Sequence, residues 1–269
     1  MKHKNGQALL ILILFIAIVL TVVLSISFKT RVDTQLSALE QQNQQALAAA
    51  EAAIESALQQ DSDVTLGSGT LSGLTGFTGQ ATISTNTTNS FVTPLLQADE
   101  QYTFYLVTYT AVPSPTPPSA SLGTDYYTNN LTFYFGTGSS YDCSSRTTPA
   151  LELAFVLADN TVNRQLLEPC SSGRTIGTSS VSVSGASGSM PENIPFTYQA
   201  TVTPPAQAKF VIIRNLFSET KLAIVGAVTL KPQGKYVDAQ AKIPNGADKK
   251  VRLFQSYPQI PAEFFVTQF

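Results

Sequence analysis

The hydrophobic pattern changes character along the chain. A cationic head, Lys2, His3 and Lys4, and the pair Asn5-Gly6 precede an apolar run from Ala8 to Phe28 that carries no charge. As a helix rising 1.5 Å per residue, that run is about 31 Å long, the hydrocarbon thickness of a bilayer. Its polar members are Thr21, Ser25 and Ser27, and helical hydroxyls of this kind bond back to their own carbonyls. From Gln7 to Leu66 there is neither glycine nor proline, whereas Gly67, Gly69, Gly73, Gly76 and Gly79 crowd the next segment. Helix breakers excluded from one block and collected in the next predict a single helix from Gln7 to about Gln60. Past the apolar run, Val32, Leu36, Leu39, Leu47, Ala50, Ile54 and Leu58 keep near a 3.6-residue period and predict a narrow buried stripe. Such a stripe also describes a coiled-coil seam, but one of its positions is the small Ala50 and it lasts under about four heptads.

From Asp61 to Phe269 the pattern shortens to β-rich runs set among Thr, Ser and Gly. Residues 101–109, 130–135, 151–157, 196–202, 209–214 and 222–230 read as strands. The runs 209–214 and 222–230 are apolar enough for a sheet centre, and the stretch 215–221 between them is short enough for an antiparallel connection. Tyr236 to Ile243, Asn245-Gly246, then Lys250 to Phe254 read as a hairpin. A Pro-rich segment, 112–119, is expected as an extended surface loop, and a Ser/Gly-rich segment, 171–190, as a mobile one. The expected fold class is therefore α+β: a long N-terminal helix followed by a β-rich, mainly antiparallel domain over 61–269.

Composition narrows the chemistry. Only 13% of the residues are charged and the formal charge is −2, so no basic face exists to gather phosphate backbones and nucleic-acid binding is not expected. His3 is the one imidazole, which leaves a histidine-dependent nucleophile no partner elsewhere in the chain. No phosphate-binding loop, dinucleotide fingerprint, H-E-x-x-H or G-x-S-x-G is present. Neither a catalytic residue, a cofactor nor a metal is expected. Cys143 and Cys170 are the two thiols. They are expected to be bridged if their domain lies outside the cytoplasm, the alternative being two buried free thiols.

The N-terminal residues carry a family resemblance. A short basic leader ending in Gly6, followed directly by Gln7-Ala8-Leu9-Leu10-Ile11 and an unbroken apolar helix, resembles the processing signal of type IV prepilins and type II secretion pseudopilins. The segment from Gln45 to Glu55, with its Ala-Ala-Glu-Ala stretch, is similar to that of minor pilins of the PilX type. The resemblance covers roughly the first sixty residues. It implies cleavage by a prepilin peptidase between Gly6 and Gln7, methylation of the new N-terminus, and assembly through the helix with other pilin-like subunits and an inner-membrane machinery. Most members have glutamate at the fifth mature position, where this chain has Ile11. That departure resembles minor pilins and K-type pseudopilins, and implies a tip, priming or occasional subunit rather than bulk polymer.

The implied localisation is a single pass through the inner membrane, in contact with lipid and with the β-domain outside the cytoplasm, then a surface filament after assembly. Cleavage after Gly6 would remove the only histidine and leave 14 basic against 18 acidic side chains, a formal charge of −4. Two alternatives remain open: an uncleaved, membrane-anchored adhesin or binding domain, and a β-domain secreted after cleavage at Ser27.

Overall fold

The computed structural model describes residues 5–85, 88–112, 119–137, 141–170, 174, 179–188, 190–244 and 246–260. In chain order, helix α1 (Asn5–Gln60) is followed by β1 (Val64–Thr65), β2 (Thr78–Thr85), β3 (Ser90–Val92), β4 (Gln101–Tyr105), β5 (Tyr109–Val112) and β6 (Ser119–Leu122). Then come β7 (Leu131–Phe135), β8 (Ala150–Leu157), β9 (Val162–Leu167), β10 (Ser179–Val181) and β11 (Ser184–Gly185). The last five strands are β12 (Tyr198–Val202), β13 (Ala208–Leu216), β14 (Ala223–Gly226), β15 (Gly234–Lys242) and β16 (Asp248–Ser256). The fold is α+β, with one long helix and a mainly antiparallel sheet-rich remainder. The chain divides into two compact units. One unit holds 1–84 and 237–253, and the other holds 85–236 and 254–269.

In the first unit the helix is 56 residues long, about 84 Å. It stops at Asp61, whose φ of 50° is left-handed, and the Ser62 N–H turns back to the Ala57 carbonyl at 3.3 Å. This is the glycine-type helix ending made with aspartate, a residue that tolerates the left-handed region. The last turns lie on a four-stranded sheet of order β1-β2-β15-β16.

The buried helix face differs from the predicted stripe. Ala46, Ala49, Ala50, Ala53, Ile54 and Ala57 are buried, whereas Val32, Leu36, Leu39 and Leu47 stay exposed and Leu58 is half-buried. The alanines recur at helical spacing and meet Ala81, Val237, Ala239 and Ala241, the last three being alternate residues of β15 that share one face. Small side chains on both surfaces bring helix and sheet close. The face is therefore set by what is small enough to fit rather than by what is most apolar.

The second unit contains two five-stranded sheets, β10-β9-β8-β13-β4 and β11-β12-β7-β14-β3, and the separate antiparallel pair β5-β6. Phe133 and Phe135 of β7, Leu153 and Phe155 of β8, Ile213 of β13 and Ile224 of β14 share the main core and are fully buried. In β8 and β13 the alternate residues Ala154, Val156, Phe210 and Ile212 are also buried, in a second cluster with Tyr105 and Tyr257. Burial on both faces explains why these two strands read as near-continuous apolar runs.

β13 and β14 are each flanked by two strands, as their apolarity predicts, but they belong to different sheets. The stretch 215–221 is thus a sheet-to-sheet crossing rather than a hairpin. Asn215, fully buried, holds the crossing: the carbonyls of Leu96, Gln97 and Ser218 share the two N–H donors of its side-chain amide.

Both predicted loops are partly ordered as strands. Val112 and Ser119 pair across β5 and β6, while 113–118 lie outside the described residues. Within 171–190, β10 pairs in parallel with β9, and β11 pairs with β12.

Tyr102 is 6% exposed, and its hydroxyl has no hydrogen-bond partner among the described residues. Burial, then the nearby Tyr236 and Tyr105, push its pKa upward. Burial raises the Tyr105 phenol to about 12, with Tyr109 adding to the shift. A phenol raised in the folded state contributes stability that is complete below the unfolded value near 10 and is lost as pH climbs through the folded value. Tyr102→Phe removes a desolvated, unpaired hydroxyl. It is expected to stabilise the protein by about 1 kcal/mol in urea unfolding at pH 7 and to retain more stability than the parent chain above pH ~10. Equal or lower stability at pH 7 would show that the hydroxyl finds a partner.

Candidate functional site

From Leu12 onward the N-terminal half of α1 presents a continuous apolar surface. From Leu12 to Phe28 thirteen large apolar side chains are exposed, ranging from Val19 at 47% to Phe28 at 72%. The helix has a window of mean hydropathy 2.6, none of it buried. Thr21 Oγ1 donates to the Ile18 carbonyl at 2.8 Å, and Thr30 and Thr34 donate to the carbonyls one turn back. Such hydroxyls carry no unmet donor into an apolar medium. Burying a large apolar side chain is worth about 1.5–3 kcal/mol, so leaving thirteen of them in water would cost on the order of 20 kcal/mol. That exceeds the net stability of a typical domain, so the surface requires a cover. The helix is long and apolar enough to span a membrane.

Gly6, Gln7 and Ile11 all lie within α1, which begins at Asn5. The bond between Gly6 and Gln7 is therefore enclosed in helix rather than in an extended leader. Glycine lowers the cost of unwinding at that point.

Cys143 and Cys170 are bonded, with Cα atoms 5.7 Å apart. The topology brings them together because β8 and β9 pair antiparallel with Leu151 opposite Leu167, so the segment entering β8 lies beside the segment leaving β9. Around the bridge, Asp142 accepts from the backbone and hydroxyl of Ser144, which hold its carboxyl down at about 2. Arg174 pairs with Glu168, both side chains nearly fully buried, and donates to the Thr148 carbonyl at 3.1 Å. Its guanidinium also lies 4.3 Å from the centre of the Phe217 ring. Glu168 in turn accepts from the Cys170 N–H at 2.9 Å. The bridge thus sits in a charged, hydrogen-bonded knot that holds Cys170 and Arg174.

Two sheet edges are treated in opposite ways. β4 ends its sheet, and its outward N–H groups are capped by side chains. The Tyr105 N–H donates to Gln233 Oε1 at 2.8 Å and the Thr103 N–H to Gln259 Oε1 at 2.6 Å. Gln233 Nε2 returns a bond to the Tyr105 carbonyl at 2.9 Å, completing a backbone-like pair. β16, nine residues long, ends the sheet under the helix. Beside it runs a groove of about 530 Å³, with Ile54 and Leu58 on the helix wall and Val251 and Leu253 on the strand wall. Glu51 and Glu55 edge the helix side, and Arg252 on the strand makes a two-bond pair with Asp238 that lowers the Asp238 pKa. Sequence reasoning identifies the hairpin that supplies the strand wall but not the groove. The available signal is the apolar alternation of Val251 and Leu253 after a turn.

Compared with known proteins, the chain matches no protein family, no curated sequence and no solved structure.

Proposed function

We propose that this chain is a minor pilin-like structural subunit of a type IV pilus or a type II secretion-like filament. The observation that carries the reading is α1 itself. It is unbroken from Asn5 to Gln60, exposed and apolar through its first half and docked by an alanine face through its last turns. A prepilin peptidase cuts after Gly6, and the apolar half rests in the inner membrane with the β-rich part outside the cytoplasm. On assembly the same surface exchanges lipid for neighbouring helices, a transfer open to a segment that carries no charge. With Ile11 where most members have an acid, the subunit offers no carboxylate to a neighbour's amine at that position, which suits a tip or priming role. The role is mechanical, and no residue is assigned a catalytic function.

One observation favours the uncleaved anchor as a second reading: Gly6 and Gln7 are already helical. The N-terminal residue of the mature protein, isolated from a membrane that contains a prepilin peptidase, separates the readings. Gln7 is expected; Met1 would return the anchor and Phe28 a secreted domain. Gly6→Val is expected to leave the chain at full length, and normal maturation of that variant would remove the basis of the proposal.

A further inference from the structure

We infer that residues 257–260, fastened by Gln233, are a strap that keeps the β4 edge from pairing with the β4 edge of a second copy of this chain. The strap and the strand it covers lie wholly within the second unit, so this role does not depend on the filament reading.

An outer strand presents a row of unpaired main-chain groups, and proteins blunt such rows by shortening, charging or covering them. The outer strands β1, β3, β10 and β11 have only two or three residues. β16 is longer but carries Lys249, Lys250 and Arg252. β4, Gln-Tyr-Thr-Phe-Tyr, has neither protection: it pairs with β13 along its whole length and contains no charge, glycine or proline. At its two ends the Leu106 N–H and the Glu100 carbonyl bond across to Lys209 and Asn215 of β13. By alternation Gln101, Thr103 and Tyr105 turn their main-chain groups outward.

The strap meets those outward groups with side chains, one layer short of a ladder. The Thr103 N–H donates to Gln259 Oε1, and the Gln233 amide takes both the N–H and the carbonyl of Tyr105. In return the Ile260 N–H donates to Thr103 Oγ1 at 3.0 Å, the Gln101 amide to the Ile260 carbonyl, and the Tyr105 hydroxyl to the Pro258 carbonyl at 2.7 Å. Apolar contact seats both ends. The Tyr257 ring lies 5.8 Å from that of Tyr105 and 4.5 Å from that of Tyr109, and Ile260 packs on the same cluster. The Tyr257 N–H donates to the Gln233 carbonyl at 2.9 Å, so buried Gln233 fastens the strap and caps the edge at once. Pro258 has no N–H, so the strap does not rebuild on its outer side the donor row it hides.

A bare β4 matches itself. Two identical strands related by a two-fold axis pair antiparallel, each donor facing an acceptor of the other, and Tyr, Thr and Phe favour the extended state. A second copy is therefore the partner that the strap excludes.

Hydrogen exchange of single amides, in the whole chain held in detergent micelles, tests this. In the parent chain the Thr103 and Tyr105 amides are expected to be protected at every concentration. Gln233→Leu/Gln259→Leu opens the strap. At about 1 μM its Tyr105 amide should exchange ~100-fold or more faster than in the parent, and at about 100 μM protection should return as a second copy takes the edge. Association through the apolar helix leaves that amide bare and cannot mimic the return. Adding Thr103→Pro removes an outward N–H without touching the β13 ladder, and is expected to abolish the return. Protection that persists at low concentration, or never returns at high concentration, overturns the proposal. So does a return that survives Thr103→Pro. If the double variant also loses protection at Phe133 and Ile213 it has unfolded, and Gln259→Leu alone, read at the Thr103 amide with the same outcomes, decides. Maturation at Gly6 is read by the N-terminal residue, so either proposal can fail while the other stands.

Discussion

Replacing Gly79 by valine is expected to unfold the first unit while the second stays folded. Gly79 sits in β2 with a φ of 145°, a backbone region essentially closed to residues with a side chain. A Cβ built there falls 1.9 Å from the carbonyl oxygen of Gln240 and 2.8 Å from its carbon, both main-chain atoms of the neighbouring β15. No side-chain rotation relieves that overlap, so the two strands must separate. Separation removes the sheet on which the alanine face of α1 rests, because Ala81 of β2 and Ala239 and Ala241 of β15 form its floor. The expected cost exceeds about 4 kcal/mol, a large share of the stability of a small domain. Hydrogen exchange checks it. Amides of Ala49 to Ala57 and Val237 to Ala241 should lose protection, while those of Phe133, Phe155 and Ile213 keep theirs. Loss in both sets would show that the two units fold as one, and loss in neither would show that β2 and β15 do not approach so closely.

The second large effect belongs to the disulfide. Closing the loop from Cys143 to Cys170 restricts the unfolded chain by about 3.5 kcal/mol on loop entropy alone. The Cys143→Ser/Cys170→Ser variant should therefore melt roughly 7–14 °C below the parent chain, given a shift of about 2–4 °C per kcal/mol for a protein of this size. The knot around the bridge sharpens the expectation. The Cys170 N–H is one of the donors to buried Glu168, which Arg174 also neutralises, so loosening that segment exposes a charged pair to reorganisation. Trypsin should then cut after Arg174 in the folded variant faster than in the parent chain. An unchanged melting temperature would mean that the buried pair and the β8-β9 ladder hold the segment without the bond.

The sequence pattern and the fold agree where the signal is local. Helix α1 is readable because breakers are absent from Gln7 to Leu66, and β7, β8 and β13 because their strand formers are dense. The polar strands β2 and β9 carry no such density and were not legible. The buried helix face was legible at Ala50 and Ile54 but not over the rest of the stripe, because periodicity weights large side chains whereas most of the docking surface selects small ones. Val32, Leu36, Leu39 and Leu47 are the apolar residues left exposed. Whether β13 and β14 share a sheet depends on partners distant in sequence, which no window of residues contains. Of the candidate site, the Cys143–Cys170 bridge was legible from the count of cysteines, while Gly6, Gln7 and Ile11 take their roles from the resemblance alone. The groove was not, since its walls come from opposite ends of the chain.

The alanine face has a mechanical consequence. Contact with the sheet and with Gly246 beyond β15 holds α1 over Gln42 to Ala57, about 24 Å of its length, while the part from Asn5 to Gln41 extends about 56 Å beyond. The helix is therefore a lever whose free arm is more than twice its clamped arm. A shift of 1 Å at the clamp moves the far end by roughly 2 Å, and a sideways load at the far end returns to the clamp multiplied by the same ratio. Methyl groups meeting methyl groups make a stiff but shallow grip, so such a clamp transmits displacement faithfully until it lets go.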